Sequence, residues 1–370
     1  MSHVLVNLSY LNQQPTGLMT YGVQIAPYVR SLPATLLLPE SIQTLGSLDL
    51  SQPSDQIYRI PENMTADQGS RGHLRRLLWT QFKLPQLVRQ LDASLLFSPI
   101  PEAPLGIGRK PYRLVVTVHD LIPLRFPKRF SPLTLYSQHY VPQVLHQADH
   151  ILTNSKATAD DVTKFFGISS QKMTPIPLAY DQEHFRVLDL PTQPYFLYLG
   201  RPDPHKNVSR IIEAFAKLPI SPEVELWLAG TPDPVATPAL LQQAEALGVG
   251  NRVKQLDYVP YADLPKLLNQ AIALVFPSLW EGFGLPVLEA MACGTPVITS
   301  NLSSLPEVAG DAALLVDPYR VDEIAHAMKL LLVDAEARSH LREAGLRQVQ
   351  QFSWEKTGTQ TAEVLHRYCS

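Results

Sequence analysis

Ala271-Ile-Ala-Leu-Val-Phe276, followed by Pro277-Ser-Leu-Trp-Glu281-Gly-Phe-Gly-Leu-Pro-Val-Leu-Glu289, is the stretch on which the fold turns. The first six residues are short and uniformly apolar, as in a strand buried on both faces of a parallel sheet. Residues 286–293 read as a helix with Pro286 in its first turn. Two carboxylates and two glycines therefore sit at one strand-loop-helix junction. Such a junction offers unpaired backbone N–H groups to an anion and carboxylate acceptors to hydroxyls. A phosphorylated sugar would use both.

The same alternation runs through the chain and predicts an α/β protein built from β-α-β units. Strands are expected at 4–8, 35–38, 94–97, 114–118 and 150–153, then at 195–199, 224–229, 273–276, 296–299 and 313–316. Helices are expected at 20–32, 133–147, 157–166, 208–218, 263–269 and 322–332. Residues 46–72 are polar and turn-rich and read as loops, and residues 185–194 as a linker. At 370 residues the chain exceeds one ordinary core, so two lobes are expected. In such sheets ligands sit outside the carboxyl ends of the strands, here in a cleft between the lobes.

Composition excludes several classes. With 45% apolar and 18% charged residues the chain is globular in kind, and no run of 18 apolar residues suggests a membrane span. The start lacks the pattern of a signal peptide. Cys293 and Cys369 are the sole cysteines, which suits a reducing, cytoplasmic compartment and provides no disulfide framework. Residues 1–186 carry 17 Lys+Arg against 13 Asp+Glu, and residues 187–370 carry 14 against 21. The imbalance suggests lobes with different partners, but neither charge is large enough for nucleic acid. There is no Gly-x-Gly-x-x-Gly after the first strand, no phosphate loop, no Asp-x-Asp, no zinc-type cluster and no Gly-x-Ser-x-Gly.

The strand ends carry the candidate chemistry. Strand 195–199 runs into Gly200-Arg201-Pro-Asp-Pro-His-Lys206-Asn207. Arg201 and Lys206 could clamp a diphosphate, or be two cations on a solvated loop. Gly282 and Gly284 allow close backbone approach, and the N–H groups near Gly284, Leu285 and Val287 could bind a phosphate. Glu289 could accept a ribose diol and Glu281 sugar hydroxyls, or both could act as caps. His119, after strand 114–118, could bond a substrate or simply contact backbone. Gly17, after Pro15 and Thr16, could approach a ligand or form a turn.

Together these motifs resemble retaining glycosyltransferases of family 4, which have the GT-B fold. The resemblance covers nearly the whole chain and is strongest in residues 200–207 and 277–297. Thr16-Gly17-Leu-Met-Thr-Tyr21, Val118-His119-Asp120, Thr153-Asn-Ser155 and Phe352-Ser-Trp354 add to it. The family often has two adjacent glycines in its first loop; Thr16 takes one place here, as in one subgroup.

The resemblance implies two Rossmann-like lobes facing across a cleft: an acceptor-binding lobe at 1–185 and a nucleotide-sugar lobe at 186–352. A closing helix in 353–370 would cross back to the first lobe. Arg201 and Lys206 would hold the donor diphosphate, Glu289 the ribose, and Glu281 the transferred sugar near Gly282, Phe283, Gly284 and Leu285. Val259 would lie by the nucleobase and His119 would touch the sugar. No metal or other cofactor is expected. The run around Val118-His119-Asp120-Leu-Ile-Pro-Leu is similar to bacterial mannosyltransferases, so GDP-mannose is the expected donor, with a UDP-sugar as alternative. A non-catalytic nucleotide-sugar-binding scaffold is the alternative of another class. The expected acceptor is a glycan or lipid-linked saccharide for cell-surface polysaccharide. Arg71, Arg75, Arg76, Lys83 and Arg89, interleaved with Leu74, Leu77, Leu78, Trp79 and Phe82, suggest either contact with an anionic membrane at its inner face or one solvated helix face.

Overall fold

A computed structural model describes residues 3–12, 17–42, 44–45, 48–49, 56–65, 68–106, 111–219 and 223–369. The chain divides into two compact units, Met1–Leu178 with Ser353–Ser370, and Ala179–Phe352.

The first unit is built on a parallel sheet of seven described strands: β1 (Val4–Asn7), β2 (Ala34–Pro39), β3 (Ile57–Ile60), β4 (Leu95–Ser98), β5 (Arg113–Val118), β6 (His150–Thr153) and β7 (Met173–Pro175), in the order β3-β2-β1-β4-β5-β6-β7. β1, β2, β4 and β6 are buried along their whole length, which explains their largely apolar sequences. β1 pairs with β2 on one side and β4 on the other. The strand order reverses there, opening the sheet at the carboxyl end of β1.

The last helix, Trp354–Tyr368, belongs to this first unit. Ser353 caps it by accepting from the Lys356 N–H at 3.2 Å. It lies against the Gly17–Val29 helix, where Gly358 meets the Tyr28 ring so closely that a Cβ would come within 2.1 Å of it. Thr357 Oγ1 donates to the Pro177 carbonyl at 2.7 Å.

The second unit holds a parallel sheet of six described strands: β8 (Tyr195–Leu199), β9 (Glu225–Ala229), β10 (Val253–Leu256), β11 (Ala273–Phe276), β12 (Val297–Ser300) and β13 (Leu314–Val316), in the order β10-β9-β8-β11-β12-β13. Here the reversal lies between β8 and β11. Residues 185–194 are irregular and run along the Leu264–Gln270 helix, with Asn269 Oδ1 accepting from the Leu188 N–H at 2.8 Å.

The ten expected strands form within a residue or two of their predicted places. Beyond these, β3, β7 and β10 lie at the edges of the two parallel sheets and carry mixed polar and apolar residues, and Thr44–Leu45 pairs antiparallel with Leu48–Asp49. Residues 46–72 are not all loop: Leu48–Asp49 and β3 are strands, and a helix starts at Gly69. The helix expected at 133–147 is two, Pro132–His139 and Val141–Gln147. Pro142 cannot donate the intervening backbone bond.

Candidate functional site

β8 and β9 are followed at once by Gly200 and Gly230, at φ 144° and 145°. A Cβ on Gly230 would lie 2.3 Å from the Gly200 carbonyl oxygen, so the two backbones cross where a side chain has no room. Beyond Gly200 the chain makes a short 3₁₀ turn, Pro204–Lys206, and reaches Asn207 in the left-handed region at φ 64°. Asn207 is buried, and its Nδ2 donates to the carbonyls of Pro277 (3.0 Å) and Pro318 (2.7 Å). Leu279 N–H donates to the His205 carbonyl at 2.7 Å. The loops after β8 and β11 are thereby one hydrogen-bonded piece.

That join brings Lys206 to Glu281. Lys206 Nζ donates to both carboxylate oxygens, at 2.7 and 2.9 Å, and lies 5.1 Å from the centroid of the Phe276 ring. The two side chains are only 18% and 9% exposed. Glu281 N–H donates to Ser303 Oγ, and Ser304 Oγ donates to the Glu281 and Phe283 carbonyls, at 3.1 and 2.7 Å, holding Gly282-Phe283 in its turn. Gly284, at φ 113°, starts the Leu285–Ala292 helix; a Cβ there would lie 2.7 Å from Leu305 Cδ2. Val287 N–H is taken by the Gly284 carbonyl at 3.0 Å and Pro286 has none. The expected anion-binding N–H groups therefore narrow to those of Gly284 and Leu285, and Val287 is removed from the set.

Glu289 lies in this helix, half-buried; its carbonyl accepts from the Cys293 N–H at 3.1 Å, and its carboxylate has no hydrogen bond or ion pair among the described residues. Desolvation raises its carboxyl to about 7. Its charge adds to the burial that pushes the Cys293 thiol up to about 12, and it helps raise the Tyr261 hydroxyl. Val259 is half-buried in the irregular stretch after the edge strand β10. Next to it, Tyr258 is 59% exposed and Tyr261 stacks on His184 at 4.0 Å.

Arg201 is more exposed, at 59%, and donates to Asp233 Oδ2 at 3.0 Å. The backbone N–H groups of Ala236 and Val235, with Arg201, hold the Asp233 carboxyl at about 2. Asp233 stands after β9 and ties Arg201 to that strand end.

In the first unit Gly17 is the first residue of the helix after β1, while Thr16 lies outside the described residues. His119 follows β5. Its Nε2–H donates to the Pro99 carbonyl at 2.9 Å, and Tyr21 packs edge-on at 4.8 Å. Burial lowers the imidazole to about 4, so His119 is neutral at pH 7. Its Nδ1 is an acceptor. Tyr21 is buried and hydrogen-bonded to Thr117 and Thr361.

The Gly69–Phe82 helix corrects one expectation. Arg76 faces inward, with its Nε and Nη2 donating to the two Glu102 oxygens at 2.8 Å each, and so takes no part in a membrane-facing surface. Arg71, Arg75, Lys83 and Arg89 are exposed. Among the described residues no helix is long and apolar enough to cross a membrane, and no three His, Cys, Asp or Glu side chains converge in a metal-binding group.

Two parallel Rossmann-like sheets, each open at a reversal of strand order and loaded with charged loops at the strand ends, are the parts of a GT-B glycosyltransferase. Residues 181–348 match the profile of glycosyl transferases group 1, and residues 48–184 that of glycosyltransferase family 4. The chain is 35% identical to the O-antigen chain mannosyltransferase B of Escherichia coli over 67% of its own length and 69% of that protein's. It is 27% identical to the O-antigen chain mannosyltransferase RfbU of Salmonella typhimurium over 85% of this chain and 87% of that protein. Among solved structures, the sucrose-phosphate synthase of Thermosynechococcus elongatus superposes with a TM-score of 0.76, covering 99% of each chain at 18% identity. The protein belongs to glycosyltransferase family 4, the retaining enzymes of group 1.

Proposed function

We propose that the protein moves mannose from GDP-mannose to a hydroxyl of a glycan or lipid-linked acceptor during cell-surface polysaccharide synthesis. Support for mannose and for polysaccharide synthesis comes from the O-antigen mannosyltransferases the chain resembles. The observation that carries the chemistry is the Lys206–Glu281 pair beside the Gly284 helix start. The Ala179–Phe352 unit takes the nucleotide sugar and the first unit the acceptor. Lys206, Arg201 and the Gly284 and Leu285 N–H groups neutralise the departing diphosphate without a metal. Glu281 orients the sugar, and His119, as a neutral acceptor, takes one of its hydroxyls. The departing phosphate oxygen receives the acceptor's proton on the same face as the new bond, so no covalent glycosyl-Glu281 forms. Val259 and Gly17 complete the proposed set of donor-binding residues. The reaction takes place in the cytoplasm, in keeping with a chain whose two cysteines are free.

A panel of GDP-mannose, UDP-glucose, UDP-galactose and UDP-N-acetylglucosamine, scored by thermal shift and slow donor hydrolysis, tests this. GDP-mannose should give both signals. Preference for a UDP-sugar would replace the donor, binding without turnover would favour a scaffold, and a glycosyl adduct on Glu281 in the mass spectrum would end the single-face mechanism.

Glu289 supplies a pH test. A ribose diol donates hydrogen bonds and so prefers the ionised carboxylate. GDP-mannose affinity should therefore rise with pH through 7, being roughly ten-fold weaker at pH 6 than above pH 8. Calorimetry at three pH values should show this slope in the parent and its loss in Glu289→Gln. The same shift gives a stability contribution that is full below the ordinary carboxylate range and is lost as pH rises through 7.

The Gly69–Phe82 helix also supports contact with an anionic membrane. Leu74, Leu78 and Phe82 form an exposed stripe at four-residue spacing, 50–63% accessible, with exposed Arg71, Arg75 and Lys83 in the same stretch. Leu78→Glu with Phe82→Glu should weaken binding to phosphatidylglycerol liposomes at least about ten-fold. Absence of liposome binding by the parent would dismiss the contact.

A further inference from the structure

The first unit contains a cavity of about 340 Å³, lined by residues that follow β1 (Ser9, Asn12), β2 (Ser41) and β3 (Glu62, Asn63). Its volume is at the lower end of the roughly 300–1,000 Å³ typical of small-molecule sites. Leu11, Pro39, Pro61 and Met64 give it apolar walls. Ser9 is fully buried, yet its Oγ has no hydrogen-bond partner. A buried hydroxyl left unpaired is costly, so one at a cavity wall points to a ligand that completes it.

The charges nearby restrict that ligand. Among the described residues the lining contains Glu62 and no Lys or Arg. Two guanidinium groups reach carbonyls of the lining residues and are committed there. Arg59 donates to the Pro39 and Ile42 carbonyls, and Arg76 donates to the Met64 carbonyl while paired with Glu102. A phosphate or carboxylate would meet Glu62 with no Lys or Arg among the described lining residues to offset it. Apolar walls with hydroxyl, amide and carboxylate groups suit the C–H faces and hydroxyls of an uncharged sugar ring.

Position adds a second point. His119 follows β5, and the cavity centres on the β2 end, three strands away across β4 and β1. At about 4.8 Å per strand, that separation is roughly 14 Å. A sugar in this cavity is therefore not the unit that His119 contacts. We propose that the cavity is a remote acceptor subsite holding a neutral sugar unit some distance along the acceptor from the hydroxyl that is glycosylated. The inference rests on the acceptor role proposed above for this unit, and makes the substrate a neutral oligosaccharide rather than a single sugar or a phosphorylated end.

Direct binding separates this from the donor reading, because it needs no nucleotide. The full chain is titrated with neutral manno-, gluco- and galacto-trisaccharides, the matching monosaccharides, and trisaccharides bearing a terminal phosphate, followed by ligand-observed NMR. At least one neutral trisaccharide should bind, more tightly than its monosaccharide and its phosphorylated form. Ser9→Ala and Glu62→Ala should each weaken it roughly five-fold, the effect of losing one hydrogen bond. Ser9→Ala should unfold no earlier than the parent, since it removes an unpaired hydroxyl. In turnover with whichever donor the panel identifies, both variants should raise KM for the trisaccharide while leaving kcat and donor hydrolysis unchanged. No binding by any neutral trisaccharide, preference for the phosphorylated form, or unchanged affinity in both variants would overturn the subsite. Failure of GDP-mannose in the donor panel would strike the donor assignment alone.

Discussion

Replacing Lys206 with methionine should lower sugar transfer by roughly a hundred- to a thousand-fold, the range seen when one preorganised charge stabiliser is removed from an active site. Two losses combine in that number. In the proposed reaction the departing diphosphate loses a cation, and Glu281 loses the donor that holds both its oxygens. The second loss also affects the resting protein. The Glu281 side chain is only 9% exposed, so the variant leaves a nearly buried carboxylate unpaired, at a cost of about 3–5 kcal/mol.

Adding Glu281→Gln separates the two effects. The double variant should regain most of the stability, because the remaining amide is neutral, and none of the activity. Lys206→Arg should recover little, since a planar fork does not reproduce a point ammonium between a carboxylate and the Phe276 ring. Initial rates at saturating donor and unfolding midpoints for the four proteins decide the matter. A Lys206→Met rate within ten-fold of the parent would remove Lys206 from the chemistry and leave it a structural partner of Glu281.

The second large effect lies in the first unit. Arg76→Met should destabilise that unit by about 3–5 kcal/mol, because Glu102, 1% exposed, would lose both its charged hydrogen bonds. Arg76 also donates to the Met64 carbonyl at 3.0 Å and contacts His73 Nδ1. For a unit of this size the midpoint should fall by roughly 10 °C. Arg75→Met, one residue away on the exposed side, should stay within about 0.5 kcal/mol of the parent. Arg76→Met with Glu102→Gln should recover part of the loss. Equal effects at Arg75 and Arg76 would contradict the inward placement.

The contrast between these two arginines shows where sequence reading stops. An Arg-Arg pair among leucines looks like a basic, lipid-facing stripe. In the helix, Gly72, Arg76 and Thr80 face inward while Leu74, Leu78 and Phe82 face out. The four-residue spacing was visible; which of its two faces is covered depends on Glu102, distant in sequence. The central strands were legible because burial on both faces demands an unbroken apolar run. Edge strands such as Ile57–Ile60, with three of four residues half-exposed, carry no such signature.

The candidate site was legible in its residue types more than in its connections. Arg201, Lys206, Glu281 and Glu289 stand out at strand ends, but their pairing does not. Lys206 reads as a phosphate ligand and Glu281 as a sugar ligand, while the structure joins them to each other. Asn207 was quoted with the motif and given no role. Its position in the left-handed region, with two carbonyl partners 70 and 111 residues ahead, makes it the tie between the two loops. Asp233, the partner of Arg201, lies in an ordinary-looking turn, and nothing local marks it.

The placement of the Trp354–Tyr368 helix on the first unit has a consequence for how the protein is made. The ribosome delivers residues up to Leu178 early, yet the helix that covers Tyr21 and Tyr28 follows only after the second unit has emerged. At roughly 5–20 residues per second, the gap is some tens of seconds. During that interval the nascent first unit exposes the apolar face of its Gly17–Val29 helix, while the second can already close its own sheet. Synthesis order and completion order are thus inverted, and the half proposed to bind the donor is ready before the half proposed to receive the acceptor.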